Sequence, residues 1–429
     1  QVYKLPEFGG GGSRSIRAIA DVTAPDDRTL VIRWRALYPN ANDLTSDGLP
    51  PLPRHVLEPS FPKVDAETFG NDPFWTRQFI GLGPYRLDQW EPGSFLEGVA
   101  FNQPALGKPK INRVRILFIP DPNTALAHAL AGELDFIGDN AVVTEQAFTL
   151  EQEWKRSGVG TVINTPNLWR FTTFQLRPEF ADPRALLDVG VRKALAHSVD
   201  RQVVAENIYH GQMAIADFLV SPDSQWGPAL VGSVQAYPYD LRRTEQLMNE
   251  AGFSKGPDGT YASGGTRFAG ELKTTIERED EVTAMSSDWR KVGFDIHQAV
   301  LPAALSTDPA SRATFPAMFT STTPQGAFDS FTTAQAPRAD NNWRGGPNRG
   351  GWSNPEYDRL VDAFSTTLEP SERAAEVAQM ARVFGQDLPM LSLFFLSVPY
   401  AWVSNLHGPS AVAPEAWPVW NLPEWQFKQ

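Results

Sequence analysis

The sequence predicts an α/β protein with two or three lobes. The class rests on a strand, helix, strand succession between residues 114 and 137 and on an amphipathic pattern over residues 187–209. The chain has 429 residues, of which 41% are hydrophobic and 21% charged, as is typical of a folded globular chain. At about 150 residues per domain, this length accommodates two or three lobes.

The first elements alternate between strands and irregular connections. Residues 29–34 read Thr-Leu-Val-Ile-Arg-Trp, and this β-branched and apolar content favours a strand. Residues 39–84 have little periodicity and many Pro, Asn, Asp and Gly residues, which predicts a long irregular connection. The Gly-Leu-Gly-Pro run at residues 81–84 predicts a loop that leads into the next strand.

The strand, helix, strand succession follows. Residues 114–119 form an apolar run that predicts a strand. Asn123 is suited to cap a helix over residues 124–131, and Gly132 is suited to end it. Residues 134–137 then predict a second strand.

Helices dominate the prediction for the rest of the chain. Apolar residues recur near a 3.6-residue period over residues 187–209, which predicts one continuous helix. Residues 239–251 and 282–292 predict two more helices, each closed by a glycine. Ser353 is the predicted cap of a further helix, and the last helix is predicted to begin at Pro370.

Charge and composition exclude several classes of function. Fifty acidic and 38 basic residues give a formal charge of -12, which would repel a phosphate backbone, so nucleic acid is excluded as a partner. The absence of cysteine excludes disulfides, thiolate nucleophiles and Cys-ligated metal sites, and suits an oxidising compartment. No apolar run approaches the roughly 18–20 residues that cross a bilayer.

Catalytic and metal-binding signatures are missing from the sequence. It contains no Gly-x-Ser-x-Gly, His-Glu-x-x-His or Walker motif, and no two of its six histidines lie four residues apart. Glu133 and Asp135 resemble a carboxylate pair but are interpreted as cap and turn residues. We therefore expect no catalytic residue, no metal and no cofactor.

Aromatic residues are abundant, with 13 Trp and 26 Phe. Concave ligand sites are lined by aromatic and apolar side chains, with a few polar groups that fix orientation. The candidates are Trp169, Arg170, Phe171, Trp343, Trp352, Phe394 and Phe395. Ordinary core packing is the alternative for each of the aromatic candidates.

Seven segments, in order along the chain, resemble motifs of one family. They are Gly81–Tyr85, Ala129–Asp135, Val191–Arg201, Ala251–Phe253, Trp289–Phe294, Ser353–Asp358 and Asp387–Pro389. Together the segments resemble the oligopeptide- and dipeptide-type solute-binding proteins of ATP-binding-cassette transporters, the family 5 extracellular solute-binding proteins.

The resemblance implies a two-lobe, type II periplasmic-binding-protein fold with a hinge. Lobe one would comprise residues 1–172 and 396–429, and lobe two residues 173–395. The ligand would be enclosed as the lobes close and then delivered to a membrane permease, with no enzymatic step. The expected location is periplasmic, or extracellular and membrane-anchored, with the export signal outside this chain.

The resemblance also implies that the chain begins partway into the family pattern. Members usually carry well over a hundred further residues before the strand that starts here at Thr29. Lobe one is therefore expected to be incomplete at its N-terminus, and a separate or missing N-terminal segment is a possible partner.

Ligand recognition is expected from residues 169–171 and from the segment around residues 312–325. The resemblance suggests stacking by Trp169 and Phe319 and charge pairing by Arg170 or Arg312. Hydrogen bonds are expected from three polar side chains, which are Thr320, Thr322 and Gln325.

One departure from peptide-binding members leaves the ligand class open. Phe319 stands where those members have Trp, and no acidic residue follows before Asp329 to pair with a ligand ammonium group. The expected ligand is a peptide or another small polar organic molecule. The alternatives are a carbohydrate-binding member of the same fold and a carbohydrate-active enzyme. A sensor or chaperone role is a further alternative.

Overall fold

The structure is a computed structural model of the whole chain. It describes residues 2, 16, 18–41, 51–61, 63, 65–101, 107–138, 141–211, 213–275, 278–343, 345–410 and 418–428.

The described residues form helices and strands in alternation. The α-helices are α1 (Arg54–Leu57), α2 (Ala66–Gly70), α3 (Pro122–Leu130), α4 (Thr144–Ser157), α5 (Val189–His197), α6 (Arg201–Tyr209), α7 (Gly227–Leu230), α8 (Leu241–Glu250), α9 (Glu279–Val292), α10 (Pro309–Ala313), α11 (Pro355–Phe364) and α12 (Pro370–Asp387). The strands are β1 (Ile19–Asp26), β2 (Thr29–Trp34), β3 (Tyr85–Glu91), β4 (Phe95–Ala100), β5 (Arg113–Leu117), β6 (Phe136–Ile137), β7 (Gly160–Phe174), β8 (Ala214–Ile215), β9 (Ser254–Lys255), β10 (Tyr261–Ser263), β11 (Thr266–Arg267), β12 (Ala269–Thr274), β13 (Asp295–Val300), β14 (Met318–Pro324), β15 (Met390–Val403), β16 (Leu406–His407) and β17 (Gln426–Phe427).

The chain divides into two compact units. Unit 1 comprises Gln1–Thr165, Ser365–Leu368 and Pro399–Gln429. Its described strands include the antiparallel pair of β1 and β2 and an antiparallel sheet in the order β3-β4-β5. A core cluster that includes Leu150 and Trp154 packs α3 against α4.

Unit 2 comprises Pro166–Phe364 and Glu369–Val398. Its main sheet has the strand order β13-β12-β14-β7-β15, with β8 paired to β15. Strand β12 runs parallel to β13 and β14, while β14 runs antiparallel to β7. Helix α9 makes the crossover between the parallel strands β12 and β13, as parallel pairing requires. The predicted α/β class is confirmed.

Helices cover both faces of the unit 2 sheet. Trp169 and Phe171 of β7 lie in a cluster with Phe384 of α12, which we call the α12 core. Phe174 of the same strand lies in a cluster with Trp289 of α9, which we call the α9 core. Successive strand residues point to opposite faces, so the two cores lie on opposite sides of the sheet.

Several of the predicted elements are confirmed closely. The strand over residues 29–34 is β2, and the helices over residues 239–251 and 282–292 are α8 and α9. Helix α9 ends at Gly293, whose φ of 114° lies in the left-handed region that favours glycine. The predicted irregular connection over residues 39–84 contains the short helices α1 and α2.

The prediction of one helix over residues 187–209 is wrong. The structure has α5 and α6, which are separated by three residues. The hydroxyl of Ser198 donates to the carbonyl of Leu195 at 2.8 Å, and the carboxylate of Asp200 accepts from the N–H of Val203 at 3.1 Å. These side-chain bonds end one helix and cap the next, while the apolar period continues across the break.

Two predicted helix caps are also wrong. Asp121 rather than Asn123 caps α3, because its carboxylate accepts from the N–H of Thr124 at 2.8 Å. Asn354 rather than Ser353 provides the cap of α11, and its side-chain oxygen accepts from the N–H of Glu356 at 2.9 Å. In both helices the true acceptor immediately precedes the proline at the first helical position.

No helix in the described ranges is both long and apolar enough to cross a membrane.

Candidate functional site

The two segments that the sequence analysis selected, residues 169–171 and 319–325, are neighbours in the unit 2 sheet. Strand β14 pairs with β7 so that Thr320 lies opposite Thr172 and Thr322 lies opposite Arg170. Phe319 and Ser321 point to the other face of β14. The register therefore brings polar and charged side chains of both strands together.

The polar side chains of this region differ in exposure. The hydroxyl oxygens of Thr320 and Thr172 lie 2.9 Å apart and are buried. The side-chain oxygen of Gln325, also buried, accepts a hydrogen bond from the N–H of Ser221 at 2.7 Å. Thr322 is half-buried. Thr322 is thus the most accessible of the three predicted hydrogen-bonding residues.

The predicted aromatic residues lie in the core of unit 2. Trp169 stacks on Phe171, with ring centres 4.2 Å apart and planes at 25°, and both side chains are fully buried. Phe395 belongs to the same α12 core, whereas Phe394 belongs to the α9 core on the opposite face. The structure therefore does not bring these four aromatic residues together as one wall, and in this structure they are packing residues. Their contact with a ligand stays a prediction.

Trp352 and Trp343 also differ in placement. Trp352 is buried in the α12 core, where its indole Nε1 donates to the carboxylate of Asp387 at 2.9 Å. Trp343 is half-buried and makes an edge contact with Phe180, at 5.7 Å between ring centres.

Arg170 is buried and paired with an acid that the sequence analysis missed. Its Nη2 atom lies 3.2 Å from Oε1 of Glu281 on α9, and the two side chains are only 8% and 2% exposed. The hydroxyl of Tyr209 donates to the same Oε1 atom. Burial, and then the charge of Glu281, raise the pKa of Tyr209 well above its ordinary value. In this structure Arg170 therefore pairs within the chain, and its pairing with a ligand charge stays a prediction.

Two further arginines lie over Phe319 of β14. Arg312 on α10 places its guanidinium carbon 5.9 Å from the centre of the Phe319 ring. Arg349, which the sequence analysis did not select, lies at the same 5.9 Å from that ring. Arg349 also donates from Nη1 to the hydroxyl of Ser321 at 2.8 Å. The fully buried Phe319 ring is therefore within cation–π range of both guanidinium groups.

Arg278 completes the group, which we call the arginine cluster: Arg278, Arg312 and Arg349. Its Nε atom donates to the hydroxyl of Thr322 at 3.4 Å, and its Nη1 atom donates to the hydroxyl of Thr275. Thr322 follows Ser321 on β14 and points to the opposite face, so Arg278 contacts the other side of the strand from Arg312 and Arg349.

Arg349 is partly removed from water and lies among like charges. Removal from water, together with the like charges of Arg312 and Arg278, lowers the pKa of Arg349 to about 9. Within the ranges that the structure describes, no acidic side chain forms an ion pair with Arg349. Arg349 keeps its proton at neutral pH, but burial and the neighbouring positive charges make its charged form less stable than it would be in water.

Backbone anchors fix the segments that carry the arginines. The guanidinium of Arg177 donates to the carbonyl of Ala313 at 2.6 Å and to the carbonyl of Arg349. The side-chain nitrogen of Gln175 donates to the carbonyl of Phe315 at 2.7 Å. These bonds hold the backbones near two of the three arginines against the end of β7.

Gly350 allows the loop after Arg349 to approach β7 closely. The carbonyl of Gly350 accepts from the N–H of Leu176 at 2.9 Å. A Cβ atom at this position would collide with the carbonyl oxygen of Phe174 and would lie 2.8 Å from a methyl carbon of Thr173. Only glycine therefore permits this approach of the loop.

The residues described by the structure contain no group of three or more His, Asp or Glu side chains that could hold a metal ion. The region instead contains guanidinium groups and hydroxyls in fixed positions. Such donors bind carboxylates and other anions.

Comparison with known families adds the context for this site. Residues 5–343 match the model of the bacterial extracellular solute-binding proteins, family 5 middle. The oligopeptide-binding protein AppA of Bacillus subtilis is 25% identical over 381 residues, which cover 86% of this chain and 65% of that relative. The chain therefore spans less than two thirds of the length of that curated relative.

Solved structures share the fold. NikZ from Campylobacter jejuni in complex with Ni(L-His) has a TM-score of 0.79 at 23% identity, over 99% of this chain and 82% of that one. AppA from Bacillus subtilis in complex with a nonapeptide has a TM-score of 0.77 at 20% identity, over 100% of this chain and 82% of that one. At these identities the likeness shows the fold alone.

Proposed function

Because the chain belongs to the bacterial extracellular solute-binding proteins of family 5, we propose that it binds a peptide or another small polar organic ligand for an ATP-binding-cassette importer. The match over residues 5–343 carries this proposal. The similarity to an oligopeptide-binding protein supports peptides as the ligand class. Binding takes place outside the cytoplasm, without catalysis, and the partner is a membrane permease.

The arginine cluster is the part of unit 2 that binds the acidic end of the ligand. Arg312 was expected from the sequence to pair with a ligand carboxylate, and Arg349 shares its position over the Phe319 ring. Thr322 supplies a half-buried hydroxyl on the opposite face of β14, where it accepts from Arg278. Arginine suits this role because its planar fork of donors matches the two oxygens of a carboxylate.

Native mass spectrometry of the purified chain beside a denatured sample tests the proposed function. A small mass that is released on denaturation, with fragments of amino acids, is the expected result. A retained sugar would replace the peptide with a carbohydrate ligand, and chemical turnover of the retained molecule would contradict a binding role.

Thermal unfolding with added tripeptides provides the second arm of this test. A tripeptide such as Ala-Ala-Ala should raise the melting temperature, because a ligand that binds only the folded state stabilises it. Arg312→Met should reduce that rise, whereas the control Arg242→Met, at an exposed position of α8, should leave it unchanged. A panel of tripeptides that never moves the melting temperature would contradict peptide binding.

A further inference from the structure

We infer that the buried pair of Arg170 and Glu281 in unit 2 recognises an uncharged amide of the ligand backbone. Arg170 donates to an amide oxygen, and Glu281 accepts from an amide N–H. This inference rests on the proposed function and deepens it, because it assigns a neutral part of the peptide to this pair. It starts from hydrogen-bonding atoms of the two residues that the fold leaves without partners.

The first argument is the unused hydrogen-bonding capacity of the pair. The Nε and Nη1 atoms of Arg170 and the Oε2 atom of Glu281 are buried and have no hydrogen-bond partner among the described residues. The two side chains are only 8% and 2% exposed. Buried polar atoms in folded proteins are nearly always paired, so these two donors and this acceptor are the atoms that a ligand group can satisfy.

Other buried arginines of unit 2 show that the fold usually supplies such partners. The Nη1 atom of Arg201 donates to the carbonyls of Ala216 and Ser392, at 2.5 and 3.0 Å. Arg192 donates to backbone carbonyls from Nε, Nη1 and Nη2. In the described part of the chain, Arg170 has no such carbonyl at Nε or Nη1. The unpaired donors therefore distinguish Arg170 from buried arginines whose donors the fold occupies.

The second argument is the position of the pair at the carboxyl ends of parallel strands. Glu281 lies in the first turn of α9, which follows the carboxyl end of β12. Arg170 lies opposite Thr322, near the carboxyl end of β14. Ligands of open α/β sheets bind outside the carboxyl ends of the strands. Thr322 and Tyr209 beside the pair are half-buried, so the pair adjoins side chains that solvent reaches.

The third argument is charge. Arg170 and Glu281 neutralise each other, with 3.2 Å between Nη2 and Oε1. A ligand carboxylate would compete with Glu281 for Arg170, and a ligand ammonium would compete with Arg170 for Glu281, so either would leave a buried charge without its partner. An amide leaves the ion pair intact, because its oxygen accepts and its N–H donates without a net charge. The pair therefore favours a neutral group over either charged end of a peptide.

Ester analogues of a tripeptide test the recognition of an amide. Titration calorimetry on the full chain compares Ala-Ala-Ala with two analogues, in which L-lactate replaces either the second or the third alanine. Each analogue lacks one backbone N–H and carries a weaker carbonyl acceptor at that position, while the charges at its ends are unchanged. We expect one analogue to bind at least about tenfold more weakly than Ala-Ala-Ala, because a buried acceptor that loses its donor is left unpaired.

Variants assign this loss to the pair. Arg170→Met with Glu281→Leu removes the donors and the acceptor together and leaves no uncompensated charge. In this double variant the difference between Ala-Ala-Ala and the weaker ester should fall to about twofold or less, as expected when the interacting groups are absent. The control Arg242→Met, at an exposed position of α8, should keep the full difference.

A second variant keeps the test decisive if the double variant folds poorly. Arg170→Lys retains a positive charge beside Glu281 but lacks the Nε and Nη1 donors, so it should also reduce the difference between Ala-Ala-Ala and the ester. Circular dichroism establishes that each variant is folded before its affinities are compared.

The outcomes separate this inference from the proposed function. Binding of Ala-Ala-Ala with no weakening for either ester overturns the inference and leaves peptide binding intact, as does an ester loss that persists undiminished in the folded variants. A loss confined to the natural chain and the Arg242→Met control supports the inference. Failure of all three ligands to bind overturns both.

Discussion

Unit 2 contains two arginine sites with opposite electrostatic surroundings, one on β7 and one beside β14. Arg170 is buried against Glu281, which is itself only 2% exposed and also accepts from Tyr209. Arg349 instead faces Arg312 and Arg278, whose like charges lower its pKa. We therefore expect the neutralised charge of Arg170 to be structural, and we propose that the repelled charge of Arg349 is available to a ligand.

The buried ion pair of Arg170 and Glu281 predicts the largest effect on stability. Glu281→Gln removes the charge of the partner while keeping its shape, and leaves the Arg170 guanidinium buried without compensation. The free energy of unfolding should fall by about 3–5 kcal/mol in a urea titration, because an uncompensated buried charge is costly.

Two variants serve as controls for that measurement. Asp280→Asn, at the exposed neighbouring position of α9, should change stability by less than about 0.5 kcal/mol. The double variant Arg170→Met with Glu281→Leu should recover most of the loss, since an apolar pair can replace a buried ion pair. A loss below about 1 kcal/mol in Glu281→Gln would show that the ion pair is not structural.

The anchoring of the Arg349 loop predicts the next largest effect. In Gly350→Ala the new methyl group would overlap the carbonyl of Phe174, so the loop must move away from β7. Overpacking of this kind costs about 1–3 kcal/mol of stability. Displacement of the loop should also weaken anion binding, as measured by calorimetry.

Gly70→Ala is the matched control, because a Cβ atom at Gly70 would meet no atom within 4 Å. If Gly350→Ala kept both the stability and the anion affinity of the natural chain, the close approach of the loop to β7 would have no part in positioning Arg349.

The repelled charge of Arg349 predicts a small effect on the free energy of unfolding, without the loss of stability that most substitutions cause. Replacing Arg349 with Met removes a repelled cation, so the stability of the ligand-free protein should stay within about 0.5 kcal/mol of the natural value or rise above it. Binding of the tripeptide should weaken in the same variant. A clear fall in ligand-free melting temperature would instead mean that Arg349 is a structural residue like Arg170.

The pH dependence of the difference between Arg349→Met and the natural protein provides a last test of this repulsion. The pKa of Arg349 is lowered in the folded state to about 9, from an ordinary value of 12.5. Between these values the unfolded chain binds the proton and the folded chain does not, so the natural protein gains stability from this group as pH rises. The free energy of unfolding of the natural protein should therefore rise relative to that of Arg349→Met above about pH 9. Paired unfolding experiments at pH 8 and pH 10 measure this change. A gap that is constant over this range would contradict the lowered pKa.

Local signals in the sequence were sufficient for the class and for several elements. Gly293 and the apolar period of residues 282–292 predicted α9, and the β-branched run at residues 29–34 predicted β2, because these signals act within a few residues. The break between α5 and α6 was missed, since the apolar pattern continues through Ser198 and Asp200 while side-chain hydrogen bonds divide the helix.

The arginine cluster was found only in part. Arg312 was selected through family resemblance, but Arg349 and its anchor were not, because the bond from Arg177 to the carbonyl of Arg349 joins residues 172 positions apart. The pairing of Arg170 with Glu281 is a long-range contact of the same kind. No periodicity or motif in one sequence encodes such pairs, which depend on the register of β7 against β14 and on the packing of α9.

A crystal structure of the chain with bound Ala-Ala-Ala tests the central claim most directly. The account predicts that the terminal carboxylate lies within about 3 Å of guanidinium nitrogens of Arg312 or Arg349. It also predicts that Arg170 keeps its pairing with Glu281. A ligand whose carboxylate lies away from both Arg312 and Arg349, or pairs with Arg170 in place of Glu281, would contradict the division between a structural and a ligand-binding arginine.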